Sequence, residues 1–287
     1  MAIKPFRPGR RSVALIVALC IAVVIIAVGY RNATADPIVR RLIVRMDEFP
    51  AGEAPIRIVL FSDVHVHGPD MPPSRVARIV DQINALRPDV IIAAGDYSGD
   101  NWIGSDYPVD QAIAPLSRLR ARLGVYAVLG NNDNRAGSAI ATRSLEQAGI
   151  HVLSDSAAAV GPISLAGTDG QLHARGGWKA MREQIYSALA ATPGIPILVT
   201  HRPDEFKFTP PWIKLVLAGH THCGQIVLPI AGAIATGSDF GQKYLCGIVR
   251  NGSQMLIVTG GVGTSYVPLR FGAPPDIWIG SKTSPTA

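Results

Sequence analysis

The stretch IRIVLFSDVH at residues 56–65 runs a strand-like apolar segment, Arg57 to Phe61, into a carboxylate and an imidazole two residues apart. Side chains at that spacing project to one side of an extended chain, so Asp63 and His65 can enter one crevice at the strand's end. A lone D-x-H is a common coincidence; its weight comes from repetition. VIIAAGD at 90–96, VYAVLGNND at 125–133, PILVTH at 196–201 and LVLAGHTH at 215–222 repeat the pattern of an apolar run ending in polar groups. Open α/β sheets place ligands at the carboxyl ends of their strands, so these endings point to one shared site.

Between those endings the chain alternates. Pro72-Pro73-Ser74 opens a helix in which Val76, Ile79, Val80, Ile83 and Leu86 share one face. Further helices are predicted over 111–121, 138–147 and 178–190, and strands over 89–94, 125–129, 152–153, 164–167, 195–200 and 214–218. Beyond Gln225 the pattern changes to short β segments broken by Gly and Pro, among them 245–250 and 254–259. This rhythm predicts an α/β domain over residues 56–275, with a largely parallel or mixed sheet and helices outside. Residues 31–55 read as a linker leading to a first strand or edge hairpin, and 276–287 as a C-terminal tail.

Val13 to Tyr30 is an apolar run without a charge, preceded by Lys4, Arg7, Arg10 and Arg11. Eighteen helical residues at about 1.5 Å each nearly cross a hydrocarbon core of about 30 Å. The basic residues 1–11 stay cytoplasmic by the positive-inside rule, 12–30 form a transmembrane signal anchor, and the domain is exported. The expected location is the inner membrane, with the α/β domain on the extracytoplasmic side. Cleavage at the small-x-small sequence Ala33-Thr34-Ala35, followed by release, is the competing reading. Arg10-Arg11-Ser12-Val13 also resembles a twin-arginine export signal, although a plain positive-inside flank has the same form.

The formal charge of +6 does not belong to the domain. Residues 1–45 hold eight Lys or Arg against Asp36, a net of +7, which leaves −1 for the other 242 residues. No electrostatic footprint for a nucleic-acid backbone remains, so no nucleic-acid partner is expected. Of three cysteines, Cys20 lies in the apolar run. Cys223 and Cys246 stand open to a disulfide, to a soft metal ligand at Cys223, or to plain packing.

Asp63, His65, Asp96, Asn131, His201, His220 and His222 supply the oxygen and imidazole donors that two neighbouring divalent cations need, with one carboxylate shared. Their order, D-x-H, GD, GN, H, GHxH, resembles that of the calcineurin-like metallophosphoesterases over residues 56 to 275. GHTHCGQI at 219–226 and VPLRFGAPPDI at 267–277 are similar to motifs of the bacterial membrane-associated branch. The resemblance implies a four-layer αββα sandwich. It assigns Asp63, His65 and His222 to one metal, Asn131, His201 and His220 to the other, and Asp96 to a bridge. It also places Asn131, Asn132 and His201 in the catalytic machinery.

The activity implied is hydrolysis of a phosphodiester, diphosphate or phosphomonoester by in-line attack of a hydroxide held between two cations, with Mn, Fe or Zn all compatible with the donors. Nearness to a bilayer extends the substrate class to lipid-linked esters. One position departs from the family: its GN motif is followed by a histidine that can protonate the leaving group, and here that residue is Asn132. An amide cannot deliver a proton at neutral pH, which points to a good leaving group or to His67 or His173 as the acid. A metal-binding, non-catalytic envelope scaffold is the rival reading. Arg175, Arg202 and Arg270 are read either as phosphate contacts or as solvated surface residues, and Asp133 and Asp169 as groups that orient the ligands. His151 reads as structural.

Overall fold

The computed structural model describes residues 9–45, 49, 55–168 and 178–283. Its helices and strands run α1 (Arg10–Ala33), β1 (Ile38–Arg45), β2 (Ile56–Phe61), α2 (Pro73–Ala85), β3 (Val90–Ala93), α3 (Val109–Ile113), β4 (Val125–Ala127) and α4 (Asn131–Gln147). Then follow β5 (His151–Val152), β6 (Ser156–Val160), β7 (Ile163–Gly167), α5 (Trp178–Ala191), β8 (Ile195–Val199), β9 (Leu215–Ala218), β10 (Val227–Leu228), β11 (Gly232–Ala233), β12 (Gly247–Asn251), β13 (Gln254–Val258) and β14 (Asp276–Thr283).

Alternation within the strands builds the layers. Ile58 and Leu60 of β2 and Val90 and Ile92 of β3 meet Ile163, Leu165, Ile197, Leu215 and Leu217 from a second sheet in one buried cluster. Their neighbours Val59, Phe61, Ile91 and Ala93 point the other way, onto Val76, Ile79, Val80 and Ile83 of α2 and Ala141 and Leu145 of α4. Leu198, Val216 and Leu256 of the second sheet likewise face Ile185 and Leu189 of α5. Strands buried on both faces read as continuous apolar runs, as β2, β3 and β9 do. Two six-stranded sheets, β1-β14-β2-β3-β4-β5 and β12-β13-β9-β8-β7-β6, thus pack face to face with helices on both outer sides. This is the expected αββα arrangement.

Within the first sheet β2, β3, β4 and β5 are parallel, and within the second β7, β8, β9 and β13 are parallel. The carboxyl ends of both parallel groups open toward the same cleft.

Four elements differ from the sequence expectation. The stretch read as a linker contains β1 and the stretch read as a tail contains β14; the two pair in parallel, from Ile38↔Asp276 onward, and β14 also pairs antiparallel with β2. The contact joins residues more than two hundred apart, which no local pattern reports. The helix predicted over 111–121 is split into α3 and a 3-10 turn, Ala114–Arg118, because Pro115 lacks the N–H that α-helix would need. The helix predicted from 138 begins at Asn131 and kinks at Gly137, where φ is 122°.

Apart from Gly29 and Ala33, no described side chain of α1 is buried, and with a mean hydropathy of 3.1 over its most apolar 18 residues it is long and apolar enough to cross a membrane. Its last turn is tied to the domain: Arg270 N donates to Gly29 O (3.0 Å), Asn32 Nδ2 to Arg270 O (3.2 Å) and Tyr30 OH to Pro69 O (3.2 Å).

Candidate metal centre

Each strand end delivers the group the sequence puts there. Asp63 follows β2, Asp96 follows β3, Asn131 opens α4 after β4, His201 follows β8, and His220 and His222 follow β9. Asp63, His65 and His222 form one group of converging donor atoms, and Asp96, His201 and His220 a second. Asp96 Oδ2 lies 3.2 Å from His201 Nε2 and 3.5 Å from His65 Nε2, so one carboxylate oxygen faces both groups. His222 Nε2 lies 3.4 Å from Asp63 Oδ1.

The donors fit cations on three counts. First, His65 Nε2 and His222 Nε2 approach to 3.1 Å, as do His201 Nε2 and His220 Nδ1. Two ligands each about 2.0–2.1 Å from one tetrahedral cation stand about 3.3 Å apart. Second, the buried Asn131 Oδ1 has no hydrogen-bond partner, an uncommon state for a buried acceptor. Third, Asp63, His65, Asp96, His220 and His222 all adopt positive φ, between 45° and 73°. Such backbone persists where the surroundings over-determine it, and it clusters at ligand clamps.

Electrostatics prepare the same atoms. Burial lowers His222 to about 3, helped by the neighbouring His65 and Arg270, and lowers His220 to about 4, helped by His201. Both imidazoles are neutral at physiological pH, the state that binds metal, whereas the facing carboxylates outweigh burial at the other two and raise His65 and, to about 9, His201. Burial alone would raise the Asp63 and Asp96 carboxyls, but the facing histidines hold both well below the usual range.

The groups around the donors fix them in place. Asp133, fully buried, accepts from the backbone N–H of Asp96 (2.8 Å) and Gly130 (2.9 Å) through Oδ2, and from Tyr97 (2.8 Å) and Ser98 (3.1 Å) through Oδ1. It therefore pins the GD loop to the GNND loop, and burial with the nearby Asp96 raises its carboxyl to about 6. Asp133→Asn turns an NH2 toward two of those four donors, and we expect a loss of about 2 kcal/mol in chemical denaturation with weaker metal retention. Gly130 has no alternative either, since a Cβ there would run into the Asp96 carboxylate.

Asn132 is buried and fully engaged. Its Nδ2 donates to Asp96 Oδ2 (2.9 Å) and Asp100 Oδ2 (3.3 Å), its backbone N–H to Asp96 Oδ1 (2.8 Å), and its Oδ1 accepts from Arg135 Nη1 (2.7 Å).

Several readings change. Arg270, open to a surface position, is fully buried: it donates to the carbonyls of Gly260 (2.8 Å), Gly263 (2.6 Å) and Ala273 (2.9 Å) and lies 3.2 Å from His222 Nδ1. Proline and glycine around it leave carbonyls unpaired by sheet, and the guanidinium collects them. His67, the candidate acid, is buried, with Nδ1 against Gly68 O and Nε2 3.1 Å from Asp106. Arg202 faces Asp204 (3.0 Å) and Asp239 (3.6 Å). His151 is exposed on β5 and stacks on Tyr126. Cys223 and Cys246 form a disulfide, which fastens the residue beside His222 to the start of β12. Asp169, His173 and Arg175 lie outside the described residues.

Asp100 carries no sequence signal, sitting in a turn-like YSGDN, yet its Oδ1 faces His65 Nδ1 at 3.3 Å and its Oδ2 accepts from Ser265 Oγ at 2.8 Å. A carboxylate behind a ligating imidazole orients it and raises its basicity. The site opens into a cavity of about 220 Å³ whose wall includes Asp96, Asn131 and His220 together with Ile226, Ile234 and Val267.

The sequence profile described as calcineurin-like phosphoesterase matches residues 56–224, more than half of the chain. The uncharacterized metallophosphoesterase YkuE of Bacillus subtilis is 32% identical over 80% of this chain and 80% of its own length. The phosphodiesterase YaeI of Escherichia coli is 28% identical over 81% of this chain and 84% of its own. A zebrafish transmembrane protein with metallophosphoesterase domain is 32% identical over 91% of this chain, which spans 61% of that protein's length. With its two-sheet sandwich and paired donor groups, the chain belongs to the calcineurin-like phosphoesterase family.

Proposed function

We propose that the protein hydrolyses a phosphate ester at a binuclear centre held by Asp63, His65 and His222 on one side and Asn131, His201 and His220 on the other, with Asp96 shared. The observation that carries this is Asp96 Oδ2 facing both histidine groups while Asn131 Oδ1 stays unpaired beside them. Two divalent cations bound there supply Lewis-acid charge and a hydroxide at neutral pH for in-line displacement at phosphorus. Asp100 stands behind the His65 ring, with Oδ1 3.3 Å from Nδ1, Asp133 holds the loop carrying Asp96, and Arg270 lies against His222.

Asn132 shapes the substrate class. Its amide hydrogens are directed at Asp96 and Asp100, and His67, the candidate acid among the described residues, does not replace it, since both its ring nitrogens face local partners. A leaving group that departs without protonation fits best: a diphosphate or an activated diester, including one borne by a lipid. Asn132→His is expected to speed the poorest leaving groups in an aryl phosphodiester series by about tenfold or more and to flatten the dependence of rate on leaving-group pKa. An unchanged slope removes this account.

α1 serves as an uncleaved, single-pass anchor in the bacterial inner membrane with the domain outside. Supporting this, Gly29, Tyr30 and Asn32 are bonded into the domain, contacts that a released form would lack. Hydrolysis of bis-p-nitrophenyl phosphate by Mn-loaded full-length protein tests the activity. Absence of turnover by protein carrying two equivalents of metal favours the scaffold reading.

A further inference from the structure

Among the described residues outside α1, six of the twelve exposed large apolar side chains, Trp102, Ile103, Leu228, Ile230, Ile234 and Tyr266, lie on segments that flank the cleft. Trp102 is 77% exposed and Ile103 61%, on a loop whose Trp102 N donates to Tyr266 O (2.9 Å) and whose indole packs on the Tyr266 ring at 5.3 Å. Across the cleft the β10–β11 hairpin carries Leu228, Ile230 and Ile234, all exposed. Ile230 sits at its turn with φ 73°, a conformation strongly disfavoured for a β-branched residue, and projects fully into solvent.

Both features connect to the point where α1 leaves the bilayer. The apolar run of α1 ends at Tyr30, and the Phe271 ring lies where a Cβ on Gly29 would stand, so, with α1 as the anchor proposed above, residues 269–271 fall at the membrane–water boundary. From there Val227 N donates to Phe271 O (2.8 Å) and Phe271 N to Gln225 O (2.9 Å), which leads directly into the hairpin. Gln225 Nε2 donates to Ser265 O (2.9 Å) and Val267 O (3.0 Å), which leads to Tyr266 and its partner Trp102. Short chains of hydrogen bonds therefore place both halves of the rim on the side of the domain that the helix reaches.

We propose that the rim formed by Trp102, Ile103, Tyr266, Leu228, Ile230 and Ile234 is seated in the headgroup region of the leaflet from which α1 emerges, so that the cleft receives amphiphilic phosphate esters directly from the bilayer. The substrate part of this rests on the phosphoesterase reading above. Aromatic and aliphatic side chains beside polar groups suit that boundary. The cleft wall joins the buried Asp96 and His222 to the partly or largely exposed Ile226, Ile234, Tyr266 and Val267. The phosphate meets the cations while the apolar part of the ester stays against this wall and the lipid.

Full-length protein in phosphatidylcholine–phosphatidylglycerol vesicles with brominated acyl chains tests the seating. Emission of the parent minus that of Trp102→Phe isolates Trp102; it is expected to be blue-shifted and quenched, and a water-like, unquenched Trp102 overturns the proposal. Trp102→Ser combined with Ile230→Ser is expected to leave hydrolysis of soluble bis-p-nitrophenyl phosphate unchanged. Hydrolysis of a long-chain alkyl p-nitrophenyl phosphate embedded in the vesicles falls about tenfold, the occupancy carried by a large apolar side chain. Equal rates on the embedded ester for variant and parent overturn the delivery role. If no protein hydrolyses either ester, the phosphoesterase reading has failed, and quenching alone decides the seating.

Discussion

Asp96→Asn lowers turnover of a soluble phosphodiester by about a thousandfold, close to 4 kcal/mol of transition-state stabilisation. The carboxylate is the one group whose Oδ2 faces His201 at 3.2 Å and His65 at 3.5 Å, and those imidazoles keep it ionised despite burial. An amide there is neutral, so one shared ligand charge disappears between two cations. Its NH2 end would also oppose the amide of Asn132, now 2.9 Å from Oδ2. The fold is expected to survive, because the backbone of the GD loop is held by Asp133. Turnover and bound metal measured on the same purified protein check this. A variant that keeps both metals and works within a factor of ten of the parent would remove Asp96 from the bridging position.

Arg270→Met is expected to cost about 3–5 kcal/mol, seen as a fall in Tm of roughly 10 °C for a domain of this size. Burial pushes the guanidinium down to about 10, which leaves it charged at neutral pH. Its donors reach Gly260, Gly263 and Ala273, all buried, and methionine offers none of them a hydrogen. The same change releases His222 Nδ1, so metal affinity at the group of Asp63, His65 and His222 is expected to drop about 10–100-fold. Arg270→Lys restores little, because one ammonium cannot span the planar fork. Calorimetry with and without added Mn²⁺ separates the two losses. An unchanged Tm would show that the carbonyls find other donors.

The donor series was legible because every member follows an apolar run, and a strand end is a local event in sequence. The four layers were less so. β2, β3 and β9 are buried on both faces and carry no alternation, so the split between Ile58 and Leu60 on one side and Val59 and Phe61 on the other appears only in three dimensions. The β1–β14 pair was missed because its partners are joined through space alone. Asp100 and Arg270 were obscured for a different reason: a turn-like loop and a proline-rich segment look solvated, and only the fold turns their side chains onto the backs of His65 and His222. Asn132 stands out in the sequence as a departure, but its bonds to Asp96, Asp100 and Arg135 arise only from the fold.

The place of β14 between β1 and β2 sets a timetable for biogenesis. β2 is almost wholly apolar, and until β14 has been synthesised one of its edges has no partner, a template for pairing with other chains. At about 5–20 residues per second, the interval between the synthesis of Ile38 and that of its partner Asp276 lasts roughly ten seconds to under a minute. Throughout it the first sheet is open, and it closes when β14 arrives.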